Sequence, residues 1–221
     1  MTDVAAPPSS ATPTAVRVRI FVDFWNFHLA VKRHNGGKDF NMDWRLLGPW
    51  LTQHAGSLAL VGDASRPLRY EGMHVYMSID PRQSSRDGGL KKWAGVIDRF
   101  PGVQVVMKER KPKEPPSCPV CHGVIKDCPH CGKPQAGMIE KGIDTAIVTD
   151  MIKLAWEDAY DVAVLASADR DFIPAVEFLD AKGRKVVHVG IPPHGMDLAR
   201  RCWSSLDLRK GLGELERGKG R

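Results

Sequence analysis

Three aspartates stand where a predicted strand meets a predicted helix. Asp23 directly follows the apolar run RVRIFV, Asp169 follows the run DVAVLAS, and Asp144 opens a helical segment. In an open parallel sheet the carboxyl ends of the strands share one edge, so we expect these three carboxylates to lie close together. Carboxylates grouped in this way repel one another unless a hard divalent cation neutralises them. The pattern therefore predicts an aspartate site for Mg²⁺ or Mn²⁺.

Several of the acids also have a purely structural interpretation. Asp171 can cap the helix that it begins, and Asp144 can interact with the dipole of a helix N terminus. Asp150, beside the apolar stripe of the same helix, is expected to act as a structural hydrogen-bonding acid. Asp23 is harder to explain in this way, because a carboxylate at the mouth of a buried strand is costly unless it is paired or coordinated.

Four cysteines form two CxxC motifs that are separated by six residues. Two such motifs are typical of a tetrathiolate zinc site in a loop that has no core of its own. We predict that residues 111–137, which lack helical or strand periodicity, form a zinc knuckle inserted between a strand and a helix. Disulfides, an iron–sulfur centre or a redox pair are the alternatives. The predicted zinc ligands are Cys118, Cys121, Cys128 and Cys131.

The rest of the chain alternates between strand and helix patterns, and we identify no internal repeat. Strands followed by helices favour a parallel sheet covered on both faces, a three-layer α/β/α sandwich. Pro49 is expected to break or kink the second helix. The predicted strands cover residues 17–22, 69–79, 103–108, 161–167 and 185–190, and the predicted helices cover 24–34, 43–56, 86–99, 143–156, 171–183 and 195–203.

The composition sets the domain plan and the expected location. Residues 1–15 lack both the basic and the apolar part of a signal peptide and are predicted to be a disordered tail. The main domain is predicted to cover residues 16–208, and residues 209–221 are predicted to form a basic tail that frays. No apolar run reaches the roughly 18 residues that a bilayer-spanning helix needs. We expect a cytoplasmic protein that makes no contact with membranes.

The net charge of +6 favours polyanionic partners through long-range attraction. Lys111 and Lys126 lie in or beside the cysteine segment and are our candidates for contacts with nucleic-acid phosphates. A solvated charge run is the alternative interpretation. The sequence leaves the oligomeric state open, and a homodimer is compatible with it.

Three short motifs, taken in order, resemble the NYN family of PIN-like nucleases, including its LabA-like members. They are Asp23-Phe-Trp-Asn26, Lys141-Gly-Ile-Asp144 and Ser167-Ala-Asp169-Arg-Asp171-Phe172, and the resemblance spans most of residues 17–208. Ala168 stands where the family usually has glycine. The resemblance implies a three-layer α/β fold, a magnesium or manganese ion and endonucleolytic cleavage of RNA. It implies that Asp23, Asp144 and Asp169 bind the metal.

The same resemblance suggests supporting roles for two further residues. Asn26 would orient a ligand or a phosphate, and Asp171 would support the metal ligands.

Two other functions compete with a nuclease. A haloacid-dehalogenase-type phosphatase needs a second aspartate two residues after the first, but Trp25 occupies that position. A catalytically silent RNA-binding or adaptor module could keep the same fold.

Overall fold

A computed structural model describes residues 14–218 except 61, 63, 64 and 83, and it describes only the backbone of residues 84–87. The predicted N-terminal tail, residues 1–15, lies outside the described residues apart from its last two. Across the described part of the chain, no helix is long and apolar enough to cross a bilayer.

Eight strands and seven α-helices follow one another along the described residues. Asp23, Asp43, Asp169 and Asp207 each cap the helical turn that follows them. The elements are β1 Val16–Asp23, α1 Phe24–His34, α2 Trp44–Ser57, β2 Leu68–Ile79, α3 Ser84–Ile97, β3 Val103–Glu109, β4 Lys111–Pro112, β5 Met138–Ile139, α4 Ile143–Trp156, β6 Val162–Ala166, α5 Ile173–Ala181, β7 Lys185–Gly190, α6 Met196–Arg201, β8 Ser204–Asp207 and α7 Leu212–Leu215.

The main sheet has six strands in the order β3-β2-β1-β6-β7-β8, and all neighbours are parallel. The chain winds from β1 to β3 in one direction and from β6 to β8 in the other. The strand order therefore reverses between β1 and β6. Parallel sheets form their binding crevices at the carboxyl ends of the two strands that flank such a reversal. Asp23 and Ser167 stand at these two strand ends.

Alternate residues of β1 supply the two hydrophobic cores. Val18, Ile20 and Val22 face the layer of α1, α2 and α3, whereas Phe21 faces α4, α5 and α6. Because successive side chains of a strand point to opposite faces, Asp23 lies on the same side as Phe21. The predicted three-layer sandwich is confirmed, and its geometry directs Asp23 toward α4.

Two expectations about helices and tails need correction. Helix α2 runs through Pro49 without a break, since Leu47, Leu51 and Ala55 bury its apolar face on both sides of the proline. The chain also continues past Trp203 into β8. Residues 209–217 do not fray, because Leu212 and Leu215 are buried in the core and the Asp43 N–H donates to the Leu215 carbonyl at 2.8 Å. Residues 219–221 lie outside the described residues.

The amino-terminal edge of the sheet carries a cluster of paired charges. Arg17, at the start of β1, forms ion pairs with Asp158 at 2.9 Å and Asp161 at 2.7 Å. Arg184, just before β7, pairs with the same two acids at 2.6 and 3.4 Å. These pairs lower the pKa of Asp158 to about 2 and hold the pKa of Asp161 below its usual value.

Candidate active site

Asp23 is the most buried acid at the carboxyl edge, with 5% of its surface exposed. Its carboxylate accepts from the Ser167 hydroxyl at 3.0 Å and from the Asn26 N–H at 3.3 Å, so it also caps α1. Burial raises the pKa of Asp23 to about 7, and the charges of Asp144 and Glu140 add to the rise, against the two hydrogen bonds. Asp23 therefore sits in surroundings that oppose its ionised form.

The loop after β6 is fixed by its own Ser167 and by side chains from helix α1 and strand β7. The Asn26 side-chain oxygen accepts from the Ala168 N–H at 2.9 Å, and the Asp169 N–H donates to the Ser167 hydroxyl at 3.2 Å. Buried His188, on β7, lies 2.9 Å from the Ser167 carbonyl through Nε2. Because the carbonyl can only accept, this ring nitrogen carries the proton. Asn26 thus positions the loop that presents Asp169.

Asp144 and Asp171 approach this site from two different elements. Asp144 lies in the first turn of α4, after Gly142, which adopts φ +80°. Burial, followed by the charges of Asp169, Glu140 and Asp171, raises the pKa of Asp144. We expected Asp171 to cap its helix, but it does not. Asp169 caps that 3-10 turn by accepting from the Asp171 N–H at 2.9 Å.

Asp150 instead lies away from these acids. Its carboxylate, on α4, accepts from the hydroxyl of Tyr76 on β2 at 2.8 Å. The interpretation of Asp150 as a structural hydrogen-bonding acid is confirmed.

Glu140 is a fifth acid at this site, and the sequence analysis missed it. It accepts a hydrogen bond from Ser78 on β2, and its charge raises the pKa of both Asp23 and Asp144. The same serine hydroxyl accepts from the Arg110 guanidinium at 3.0 Å, and that guanidinium lies 5.2 Å from the centre of the Trp25 ring. The signal was weak, because Glu140 follows an irregular segment in the sequence rather than a strand.

Five acids from three parts of the chain therefore meet at the point where the strand order reverses. Their charges add to the rise in pKa that burial causes at Asp23 and Asp144. Among the described residues, however, no three carboxylate, imidazole or thiol groups come close enough together to hold one metal ion. The expected assignment of Asp23, Asp144 and Asp169 as metal ligands stays a prediction, and so does the assignment of the four cysteines.

The cysteine segment is attached directly to this site. Strands β4 and β5 pair as a short antiparallel stem, with Lys111 opposite Ile139 and Pro112 opposite Met138. Arg110 precedes the stem and Glu140 follows it. Because both residues bond to Ser78, the base of the insertion shares a hydrogen-bond network with the acids.

The insertion contains an internal repeat that the sequence analysis did not identify. Two units offset by ten residues close with the same pattern of backbone hydrogen bonds, and His122 and Gly132 adopt left-handed conformations at equivalent positions, with φ of 56° and 65°. The bonds are Cys118 to Gly123, His122 to Cys118 and Ile125 to Pro116 in the first unit, and Cys128 to Lys133, Gly132 to Cys128 and Gln135 to Lys126 in the second, all at 2.8–2.9 Å.

The thiols lie in equivalent positions within the two units. Backbone N–H groups of Cys121 and Val120 donate toward the Cys118 sulfur and lower its pKa. Backbone N–H groups of His130 and Cys131 lower the pKa of Cys128 in the same way. Each unit thus favours a thiolate at its first cysteine, which is the form that binds metals.

The family of this fold follows from comparison with known proteins. The family model of the NYN domain matches residues 17–207. The chain belongs to the NYN domain family. No curated protein matches it. Among solved structures it is similar to a protein of unknown function from Vibrio parahaemolyticus, with 20% identity and a TM-score of 0.47 over 88% of this chain and 94% of that chain.

NYN is a PIN-like nuclease family, so membership supports a nuclease or RNA-related role for this chain. The NYN match begins inside β1 and ends at the last residue of β8, so it covers every strand of the main sheet. It therefore includes the five acids of the candidate active site. The insertion between β3 and α4 also lies within the NYN domain and interrupts it beside the acids.

Proposed function

We propose that this NYN domain is a metal-dependent endoribonuclease that hydrolyses RNA phosphodiester bonds at an ion held by Asp23, Asp144 and Asp169. The observation that carries the proposal is the burial of Asp23 at the strand reversal, beside Asp144 and Glu140. No lysine, arginine or histidine among the described residues forms an ion pair with Asp23. A divalent cation would offset the burial and the repulsion that together raise its pKa.

The donor set fits Mg²⁺ or Mn²⁺, because both ions prefer carboxylate oxygens over thiols and imidazoles. When bound, such an ion lowers the pKa of water and stabilises charge on a reacting phosphate. The protein's own residues supply the positions. Asn26 holds the loop after β6, and Ser167 orients the Asp23 carboxylate. Asp171 and Glu140 add further negative charge beside Asp144.

Cleavage of labelled single-stranded and structured RNA, with and without Mn²⁺, tests this function. The parent protein should cut within the strand only when the metal is present. Asp23→Asn should lower the rate at least roughly 100-fold at saturating metal, since the site loses a charged ligand. Asp43→Asn is the matched control, because Asp43 also caps a helix from an extended conformation, but its side chain accepts from the Arg45 N–H and from no residue of the site.

Two results would contradict the proposal and favour its competitors. RNA binding without cleavage at any metal concentration would indicate a silent RNA-binding or adaptor module. Release of phosphate from a simple monoester, with no cleavage of RNA, would indicate a phosphatase. Equal cleavage rates for the parent protein and Asp23→Asn would remove Asp23 from the active site.

We also propose that the insertion binds one structural zinc ion through Cys118, Cys121, Cys128 and Cys131. The support is the matched backbone geometry of the two units and the N–H groups aimed at the first thiol of each. Thiolate ligands suit Zn²⁺, and a loop without a core depends on such an ion for its order. A reducing cytoplasm, our proposed location, would keep these thiols free to bind it.

Elemental analysis of the purified protein tests the zinc proposal, with one zinc per chain expected. Replacing Cys118 and Cys121 together with serine should remove the zinc, weaken RNA cleavage and increase proteolysis near residue 120. Cys202→Ser is the control, because burial raises the pKa of that thiol to about 12 and it lies outside the insertion. A protein that contains iron, or no zinc, would contradict the proposal.

A further inference from the structure

A group of basic residues lies beside the acids, on the side of the site opposite the cysteine insertion. A cavity of about 590 Å³ opens between the loop after β6 and the loop that leads into α6. Two of its lining residues, Asn26 and Asp169, belong to the candidate active site. Its cationic or basic lining residues are Arg170, His194 and Arg200.

The walls of this cleft are held at close distance. Gly195 adopts φ +77°, and a Cβ atom at this position would come 2.9 Å from the Ala168 Cα and 3.0 Å from the His188 Nε2. A larger residue would therefore push the two loops apart. Since His188 also bonds to the Ser167 carbonyl, one framework fixes both the Asp169 loop and the loop that carries His194.

The positive groups of the cleft are available to a ligand. The Arg170 guanidinium is exposed and forms no hydrogen bond or ion pair within the described part of the chain. Arg200 pairs with Asp197 at 3.4 Å, but both side chains are about 70% exposed, at 71% and 70%, so the pair is weak. Asp169 and Asp197 are the acids of the lining, and the proposed function assigns Asp169 to the metal.

We propose that this cleft binds a backbone phosphate of single-stranded RNA, one nucleotide step or more from the bond that is cut. The proposal rests on the proposed function and extends it. Arg110 and Lys111 lie on the β3 side of the acids, whereas Arg170 and Arg200 lie on the β7 side. A strand that crosses the carboxyl edge therefore has phosphate contacts on both sides of the acids, which is the arrangement for cutting within a chain rather than at its end.

Binding measurements without cleavage test the cleft. In an Asp23→Asn background, affinity for a labelled single-stranded RNA is measured by fluorescence anisotropy over a series of salt concentrations. Arg170→Gln with Arg200→Gln should weaken binding roughly tenfold and make the slope of log affinity against log salt shallower by about 0.7, the value for one lost phosphate contact. Arg201→Gln is the matched control, because Arg201 adjoins Arg200, is similarly exposed and pairs with Glu177.

The position of the contact is tested with RNAs that each carry one uncharged methylphosphonate linkage. The methylphosphonate that replaces the phosphate in the cleft should weaken binding to the Asp23→Asn protein. It should have no further effect when both arginines are also replaced. The same linkage should still weaken binding of Lys111→Gln, because that residue lies on the other side of the acids. RNAs with a 5′-phosphate and a 5′-hydroxyl should bind equally.

Three results would contradict the proposal that the cleft binds a backbone phosphate. They are unchanged affinity and salt slope in the double arginine variant, equal losses in the Arg201 control, and a loss that depends on a terminal phosphate. The outcome is separate from that of the proposed function. Active cleavage with normal binding by the double variant would reject the cleft alone, whereas the expected binding losses in a protein that never cleaves RNA would reject the nuclease alone.

Discussion

The two edges of the parallel sheet place their acids in opposite electrostatic environments. At the amino-terminal edge, Asp158 and Asp161 lie against Arg17 and Arg184, which lower the pKa of both carboxyls. At the carboxyl edge, Asp23 lies beside other carboxylates, and its pKa rises to about 7. Strand β1 joins the two environments, with Arg17 near its start and Asp23 at its end.

This difference separates acids that stabilise the fold from acids that are poised to bind. A paired carboxylate contributes to folding, because its charged form is favoured in the native state. A buried carboxylate beside other acids costs folding free energy at neutral pH, and such groups concentrate at functional sites. The carboxyl edge therefore has the properties of a cation site, and the amino-terminal edge has those of a structural clamp.

The largest expected contrast is in catalysis. Asp169→Asn at the carboxyl edge should lower metal-dependent RNA cleavage at least roughly 100-fold, because a ligand charge is lost. Asp158→Asn at the other edge should leave the rate within about twofold of the parent value, because exposed residues far from a site rarely affect it. Single-turnover cleavage at saturating Mn²⁺ measures both variants. Equal losses in the two variants would mean that the edges do not differ in function.

The next contrast concerns His74, which lies on β2 between the two edges and hydrogen-bonds to Arg19 at 3.0 Å. Burial and the charge of Arg19 lower its pKa from 6.5 to about 4. The unfolded chain therefore takes up this proton first as pH falls. The contribution of His74 to stability should be complete above pH 6.5 and should decrease by about 3 kcal/mol as the pH drops to about 4. Protonation of buried Asp23 below about pH 7 acts in the opposite direction.

Urea unfolding at a series of pH values measures this effect. His74→Phe should lose less stability than the parent as the pH falls from 6.5 to 4, since phenylalanine takes up no proton and keeps the stack on Phe21. His34→Phe, at the exposed end of α1, should leave the slope unchanged. A parent slope that survives in His74→Phe would assign the acid sensitivity to other groups.

A smaller contrast is expected in stability at pH 8 without divalent metal. Asp161→Asn should lower the free energy of unfolding by about 1–2 kcal/mol, because Arg17 and Arg184 lose a charged acceptor. Asp23→Asn should leave it unchanged or raise it, because the amide removes a buried charge and still accepts at the helix cap. Thermal or urea unfolding compares the two. A loss in Asp23→Asn as large as that in Asp161→Asn would contradict the distinction between the edges.

The smallest expected effect is on RNA affinity. Lys111→Gln or Lys126→Gln should make the salt slope of binding shallower by about 0.7 for single-stranded RNA, through loss of one phosphate contact. Lys182→Gln, near the amino-terminal edge between α5 and β7, should leave the slope unchanged. Binding titrations from low to moderate salt measure this. The same slope in all three variants would place the RNA path away from the insertion.

The amino-acid pattern was sufficient to predict the alternation of strands and helices, the three-layer fold and four of the five acids at the candidate active site. Hydrophobic periodicity is local, and parallel strands bring their carboxyl ends to a common edge whatever their order. Asp23 and Asp169 could thus be placed from their position after apolar runs. The motifs around them also indicated the NYN family, which the family match over residues 17–207 confirms.

The partners of these residues, in contrast, follow from the three-dimensional arrangement of the chain. Glu140 reaches the acids through Ser78 on a strand 62 residues earlier, and Arg170 and Arg200 meet across two loops. The burial of Leu212 and Leu215, which replaced the expected tail, likewise depends on packing against distant elements. Such contacts follow from strand order and loop closure, and neither is encoded in the spacing of neighbouring residues.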